Sequence, residues 1–247
     1  MPPIDPAPIK IILLDIEGTT TPVEFVYETL FPYARTSLKE FLKRNWSDPE
    51  VREAVSGLRS HRDSEIRAGE LPPPWIVGTD ESETASAAEY GWWLMDRDSK
   101  TGPLKVLQGL IWQSGYQQGR LKGQVYADVP AAFERWSRQG KVVAIYSSGS
   151  ELAQRLLFAT TESGDLTRHI RTFFDTRVGM KANPESYRRI AELLRTPADY
   201  FLFLSDTLAE LDAARSAGMK TALVVRGRSG DDPGAGHRVI HDFDAIG

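Results

Sequence analysis

At 247 residues, with 41% hydrophobic and 26% charged side chains, the chain is long enough for one well-buried core and a smaller accessory unit, and too short for three independent domains. A net charge of −4 gives no general reason to expect polyanion binding, so an anionic partner needs positive charge gathered locally, by a metal ion or a few placed Lys and Arg residues. The absence of cysteine excludes disulfides, thiolate zinc sites and cysteine nucleophiles.

The first eight residues hold four prolines and no signal-peptide pattern. No apolar run approaches the roughly 20 residues of a bilayer span, so the expectation is a cytoplasmic protein with neither a membrane nor a nucleic-acid partner. Residues 9–14 form an apolar, β-branched run that predicts a buried strand, ended by the polar turn 15–20. From residue 21 to 123 the pattern changes to helical periodicity, with helices expected over residues 33–44, 49–61, 83–96 and 104–115. The prolines at 72–74 mark a loop between them.

After Gly123 strands alternate with helices. Strands are expected at 141–146, 172–174, 200–204 and 221–225, and helices at 128–139, 151–160, 184–194 and 208–217. Gly140 and Gly218 stand where C-terminal helix caps are expected, and Pro184 opens its helix. The stretch 227–236 is expected to be a flexible loop. This alternation predicts an α/β fold with a Rossmann-like, doubly wound parallel sheet and an inserted α-helical cap domain. The core is expected at residues 1–20 and 124–247, and the cap at 21–123. Such sheets carry their working residues at the carboxyl ends of strands.

Polar clusters follow three of the expected strands. In Asp15-Ile16-Glu17-Gly18-Thr19-Thr20, two carboxylates two positions apart face one site if the chain turns at Gly18. One carboxylate can attack phosphorus and the other can move protons; an acidic turn capping a helix is the plainer alternative. Ser147-Ser148-Gly149 offers hydroxyl and N–H groups to an anion, although Ser-Ser-Gly is also an ordinary loop. Asp206 ends a strand, with Glu210 one helical turn on, and oxygen ligands there suit Mg²⁺; simple helix capping is equally consistent. Lys181 lies in the loop Gly179-Met180-Lys181-Ala182-Asn183-Pro184, where a surface lysine is the default. The order of acid, serine, lysine and acid within one α/β chain is what makes the set specific.

This order resembles the four motifs of the haloacid-dehalogenase superfamily of phosphatases, and the helical insertion resembles a cap placed directly after the first motif. Residues 15–22, Asp-Ile-Glu-Gly-Thr-Thr-Thr-Pro, resemble more closely the opening of the enolase-phosphatase family of methionine salvage, in which glutamate stands where most superfamily phosphatases have aspartate. Residues 107–112, 146–150 and 205–214 are similar to the same family. The resemblance implies Mg²⁺-dependent enolisation of 2,3-diketo-5-methylthiopentyl 1-phosphate. Hydrolysis of the enol phosphate then gives the acireductone 1,2-dihydroxy-3-keto-5-methylthiopentene. It further implies one Mg²⁺ per subunit, a small-molecule phosphate substrate and a monomer.

By the same resemblance Asp15 is the phosphoryl acceptor and a metal ligand. Glu17 supplies a carbonyl to the metal and a side chain for acid/base work, and Asp206 is the second carboxylate ligand. Ser147 and Ser148 hold phosphate or substrate oxygens, Lys181 neutralises the phosphoryl group, and Glu210 either fixes the metal through water or orients Lys181. Charge balance requires a cation independently, since Asp15 and Asp206 would otherwise repel the phosphate. A generic capped phosphatase for another ester and a non-catalytic binding module remain as alternatives. A dehalogenase is disfavoured, because three carboxylates suit a metal-bound phosphate better than a haloacid. Trp92, Trp93, Trp112 and Tyr116 are expected in packing before any pocket role, and His61, His169, His237 and His241 show no metal-ligand spacing.

Overall fold

The computed structural model describes residues 8–227 and 234–247. They form two compact units, one within Met1–Phe25 and Lys122–Gly247, the other within Val26–Leu121. Most of the glycine-rich stretch 227–236 lies outside the described residues. Among the described residues no helix is long and apolar enough to cross a membrane.

The helical unit holds α1 (Phe31–Arg44), α2 (Pro49–Arg67), α3 (Asp80–Met95) and α4 (Gly102–Gln117). Leu38, Leu42, Val55, Leu58, Leu94, Leu104 and Leu107 share its core. Helix α2 continues beyond the expected residue 61 because nothing in its polar last turns breaks a helix before Gly69, whose φ is +91°. Helix α3 starts three residues earlier than its apolar periodicity suggests, since Thr79 and Ser82 form a reciprocal capping box. A π-helical segment, Phe25–Leu30, precedes α1, and apolar spacing does not reveal it. The tryptophans have local tasks: Trp92 Nε1 donates to the Arg35 carbonyl at 2.9 Å, Trp112 Nε1 donates to that of Leu30 at 2.8 Å, and Trp93 stacks on Tyr90. Tyr116 is buried and its hydroxyl has no partner among the described residues.

The other unit is built on a wholly parallel six-stranded sheet. Its strands are β1 (Ile11–Leu14), β2 (Val142–Tyr146), β3 (Ile170–Phe174), β4 (Phe201–Ser205), β5 (Lys220–Val224) and β6 (Arg238–Ile240). Its helices are α5 (Val129–Arg138), α6 (Glu151–Ala159), α7 (Pro184–Leu193) and α8 (Leu208–Ser216). The spatial order is β3-β2-β1-β4-β5-β6, the doubly wound order whose direction reverses next to β1.

The pleat sends Ile11 and Leu13 into a core shared with Tyr146, Tyr187, Ile190, Phe203 and Leu211, on the face that carries α7 and α8. Ile12 and Leu14 point the opposite way and are equally buried. With both faces covered, the central strands have no polar alternation, which is why they read as continuous apolar runs. Strand β3 begins earlier than expected and its register with β2 shifts at Val143/Ala144. The three-residue edge strand β6 has no sequence signal: it is short and carries Arg238.

Candidate active site

Strand register assembles the site. Leu14 is level with Ile145 on one side and Leu204 on the other, so Asp15, Ser147 and Asp206 emerge at the same end of adjacent strands. The Asp15 amide extends the ladder by donating to the Leu204 carbonyl at 3.0 Å, and that of Ser147 donates to Phe174 at 3.1 Å. This end lies at the reversal of strand order, where doubly wound sheets leave a crevice.

The turn after β1 is tight. Amides of Thr19, Thr20 and Thr21 all donate to the Ile16 carbonyl, at 3.2, 2.9 and 2.9 Å, and the Thr20 hydroxyl donates to the Asp15 carbonyl at 3.1 Å. Gly18 has φ +68°, and a Cβ there would stand 2.1 Å from Asp206 Oδ2. Glycine is therefore required twice over, by conformation and by the approach of a carboxylate. Glu17 is half-buried, and its backbone bridges to Thr21.

Asp15 is buried and its oxygens are held from different directions. Oδ1 accepts from the Ile16 amide at 2.7 Å and lies 2.5 Å from Lys181 Nζ; Oδ2 accepts from the Ser205 hydroxyl at 3.3 Å. The same ammonium reaches Glu210 Oε2 at 2.6 Å, and that oxygen, 3.0 Å from Ser205 Oγ, shares the one Ser205 hydroxyl hydrogen with Asp15 Oδ2. Burial works to lower the Lys181 pKa, but Asp15 and Glu210 together outweigh it and hold it above its ordinary value. Lys181 is thus a fixed cation beside Asp15, not the solvated surface lysine of the default reading.

Three hydroxyls hold the loop that carries this lysine. Tyr146 donates to the Gly179 carbonyl at 2.9 Å, Ser186 to that of Met180 at 2.8 Å, and Tyr187 to that of Lys181 at 2.8 Å. Three consecutive carbonyls are satisfied without water, so the backbone under Lys181 is set by β2 and α7. Ser186 and Tyr187 carry no sequence signal, because each sits at an ordinary helix position, and Tyr146 enters only as the first residue of the segment 146–150, without a role. Ser205, next to Asp206, was the one with a positional hint.

Ser147 follows β2, and its hydroxyl accepts from its own turn, from the Gly149 amide at 3.3 Å; Ser148 is exposed beside it. Among the described residues neither hydroxyl is hydrogen-bonded to the acidic cluster. Asp206 faces outward, with Oδ1 accepting from the Thr207 hydroxyl at 3.0 Å. Asp175 follows β3 and accepts from the Arg177 amide and guanidinium at 2.9 Å, so it structures a turn. The four histidines pair elsewhere: His61 with Tyr90, His169 with Ser137, His237 with Thr221 and Asp212, and His241 with the Val225 carbonyl.

Desolvation, and then the charge of Asp15, raises the pKa values of both Asp206 and Glu210 above the usual carboxylate range. Among the described residues Lys181 pairs with Asp15 and Glu210 and acts on Asp206 only at longer range, so the three carboxylates outnumber the ammonium beside them. Among the described residues no three His, Asp or Glu side chains form a metal cage by themselves. The carboxylates of Asp15 and Asp206, brought out at the ends of adjacent strands, suit a hard cation of the Mg²⁺ type, which takes one or two carboxylates and fills its remaining positions with carbonyl, water and phosphate oxygens.

A family model described as haloacid dehalogenase-like hydrolase matches residues 9–218. A protein of Synechococcus elongatus named Enolase-phosphatase E1 is 46% identical over 241 residues, covering 98% of this chain and 99% of that one. Its namesake from Drosophila willistoni is 42% identical over 243 residues, 96% of each chain. Among solved structures, the UTR4 protein of Saccharomyces cerevisiae is similar with a TM-score of 0.75 and 33% identity, over 96% of this chain and 100% of that one. CbbY from Rhodobacter sphaeroides, in complex with phosphate, shares the fold with a TM-score of 0.56 and 16% identity, over 97% of this chain and 96% of that one. With a strand-end carboxylate, a lysine held against it and near full-length likeness to these proteins, the chain belongs to the haloacid dehalogenase-like hydrolases and, within them, to the enolase-phosphatase family.

Proposed function

We propose that the protein is a Mg²⁺-dependent enolase-phosphatase that converts 2,3-diketo-5-methylthiopentyl 1-phosphate, through its enol, to the acireductone and inorganic phosphate. The observation that carries the phosphoryl-transfer reading is the ammonium of Lys181 fixed 2.5 Å from Asp15 Oδ1, at the end of β1. A carboxylate nucleophile there has a cation already standing where the phosphoryl charge arrives. The relatives named Enolase-phosphatase E1 support this particular ester.

In this reading an oxygen of Asp15 attacks phosphorus, and the bond from phosphorus to the enol oxygen breaks as an aspartyl phosphate forms. The Glu17 side chain gives a proton to the leaving oxygen. It then takes one from the water that attacks phosphorus, which frees Asp15 and releases phosphate. Lys181 neutralises the transferring group, and Glu210 and Ser205 hold that lysine and Asp15 in line. Ser147 and Ser148 take phosphate or substrate oxygens. Asp15, Asp206 and the Glu17 carbonyl hold one Mg²⁺ per subunit. When bound, it supplies positive charge that balances the carboxylates against the dianionic ester and stabilises the developing enolate. We further read the helical unit, Val26–Leu121, as the cap expected over residues 21–123, and the enzyme as a cytoplasmic monomer.

The test supplies the diketo phosphate with Mg²⁺ and follows enol absorbance and free phosphate together, with simple phosphate esters as controls. An enol signal that rises before phosphate, lost with EDTA and restored by Mg²⁺, is expected. Phosphate release with no enol signal would leave a generic phosphatase, and no release from any ester would leave only a binding module.

A further inference from the structure

Arg226 follows the end of β5 and is distant in sequence from every residue of the site, yet its side chain is only 9% exposed. Its Nε and Nη2 donate to the Thr19 carbonyl at 3.0 and 2.7 Å, and Nη1 donates to both Asp128 oxygens at 2.8 Å. The guanidinium carbon stands 4.3 Å from the ring centre of Tyr126 and 4.5 Å from that of Phe243. Its anchors are themselves tied down: the Phe243 amide donates to Asp128 Oδ2 at 2.7 Å, and the Tyr126 amide donates to the Thr20 carbonyl at 3.0 Å. Asp128 compensates the charge of Arg226, so what the guanidinium has left to contribute is geometry.

That geometry acts on the nucleophile turn. Thr19 adjoins Gly18, which sits so close to the Asp206 carboxylate that a methyl group would not fit between them. The turn is closed on itself by the Gly18 amide on the Thr21 carbonyl and the Thr19–Thr21 amides on that of Ile16, so displacing the Thr19 carbonyl disturbs the spacing of Gly18 from Asp206. We propose that Arg226 is a positioning residue: its two charge-assisted hydrogen bonds to Thr19 hold the turn 15–21 at the spacing from Asp206 that the divalent cation requires. The inference rests on the metal-dependent reading above and extends it to a residue that touches neither metal nor substrate. Lysine in this place keeps the charge but cannot make the fork.

The experiment compares wild type, Arg226→Lys, Arg226→Met and Asp128→Asn by Mg²⁺ titration calorimetry on chelator-treated, dialysed protein, with kcat and KM measured separately. Partners that orient metal ligands typically contribute about 10–100-fold to affinity or activity. Arg226→Lys and Arg226→Met are expected to lose Mg²⁺ affinity on that scale and to fall equally. At saturating Mg²⁺, KM should stay near wild type while kcat is reduced. Asp128→Asn, which removes the charge that pairs the guanidinium but leaves its bonds to Thr19, is expected to lose less. A folded Arg226→Lys with wild-type Mg²⁺ affinity and kcat overturns the proposal and leaves Arg226 a tie between β5 and the start of α5. If the Arg226 variants do not fold, wild-type affinity in Asp128→Asn overturns it instead. A wild-type protein that takes up no Mg²⁺ overturns the metal-dependent reading itself, an outcome distinct from a variant that matches a metal-binding parent.

Discussion

Lys181 divides its ammonium between Asp15 and Glu210, at 2.5 and 2.6 Å, and this sharing decides what a substitution at Asp15 does. Asparagine has nearly the same shape and can still accept from the Ile16 amide, but it offers phosphorus no anionic oxygen. Glu210 continues to pair the lysine, so no buried ammonium is orphaned. Asp15→Asn is expected to release no phosphate while its circular dichroism spectrum matches wild type; normal turnover would remove Asp15 from the nucleophile role. Gly18 permits a second test at this scale. Alanine there must adopt φ +68° and place a methyl 2.1 Å from Asp206 Oδ2. The left-handed backbone alone costs about 1–2 kcal/mol, and Asp206 must also move. Gly18→Ala should lower Tm by about 2–8 °C for a chain of this size and weaken Mg²⁺ binding, both readable by calorimetry. An unchanged Mg²⁺ affinity would mean that the turn and Asp206 adjust independently.

The segment between β3 and α7 works as one element, a turn at Asp175 followed by the loop whose carbonyls accept from Tyr146, Ser186 and Tyr187. Burial pushes the Asp175 pKa upward, but hydrogen bonds from the Arg177 side chain and amide, with its charge, bring it below the ordinary value of 3.8. A carboxyl whose folded pKa is depressed stabilises the protein above its unfolded pKa, and the contribution disappears as pH falls through the folded one. Asp175→Asn should therefore unfold at a lower temperature than wild type at pH 7, with the gap closing as pH drops below the ordinary carboxylate range. A gap that is constant with pH would assign the loss to packing. The same element shows how far the sequence could be read. The strand-end acids were legible because strands buried on both faces end abruptly at polar residues, and Lys181 only through the order of acid, serine, lysine and acid, since alone it reads as a surface lysine. Tyr146, Tyr187 and Arg226 were not, since hydroxyl and guanidinium contacts to distant carbonyls leave no periodic trace. Strand β6 and the π-helical segment were missed for the related reason that neither is long or apolar enough to set a pattern.

At the scale of the whole molecule, the chain brings residues 15, 181, 206 and 210 together only when the sheet closes in the order β3-β2-β1-β4-β5-β6. The arrangement sets function against stability, because crowding carboxylates around one ammonium opposes folding until a cation arrives. Desolvation, and then Asp15, holds the Asp206 pKa above its ordinary value, so its ionised form is disfavoured in the metal-free fold. Asp206 is also open to solvent, which screens the repulsion and limits its cost to about 1 kcal/mol or less. Asp206→Asn removes one of these charges and keeps the shape. In EDTA at neutral pH it should unfold at a temperature equal to or about 2 °C above that of wild type. In Mg²⁺ the order should reverse, because wild type gains the binding free energy of the cation by mass action and the variant gains little. Scanning calorimetry of both proteins, with and without Mg²⁺, separates the two effects. An Asp206→Asn variant stabilised by Mg²⁺ as strongly as wild type would place the cation elsewhere, and one clearly less stable than wild type in EDTA would mean that Asp206 holds the fold together instead of straining it.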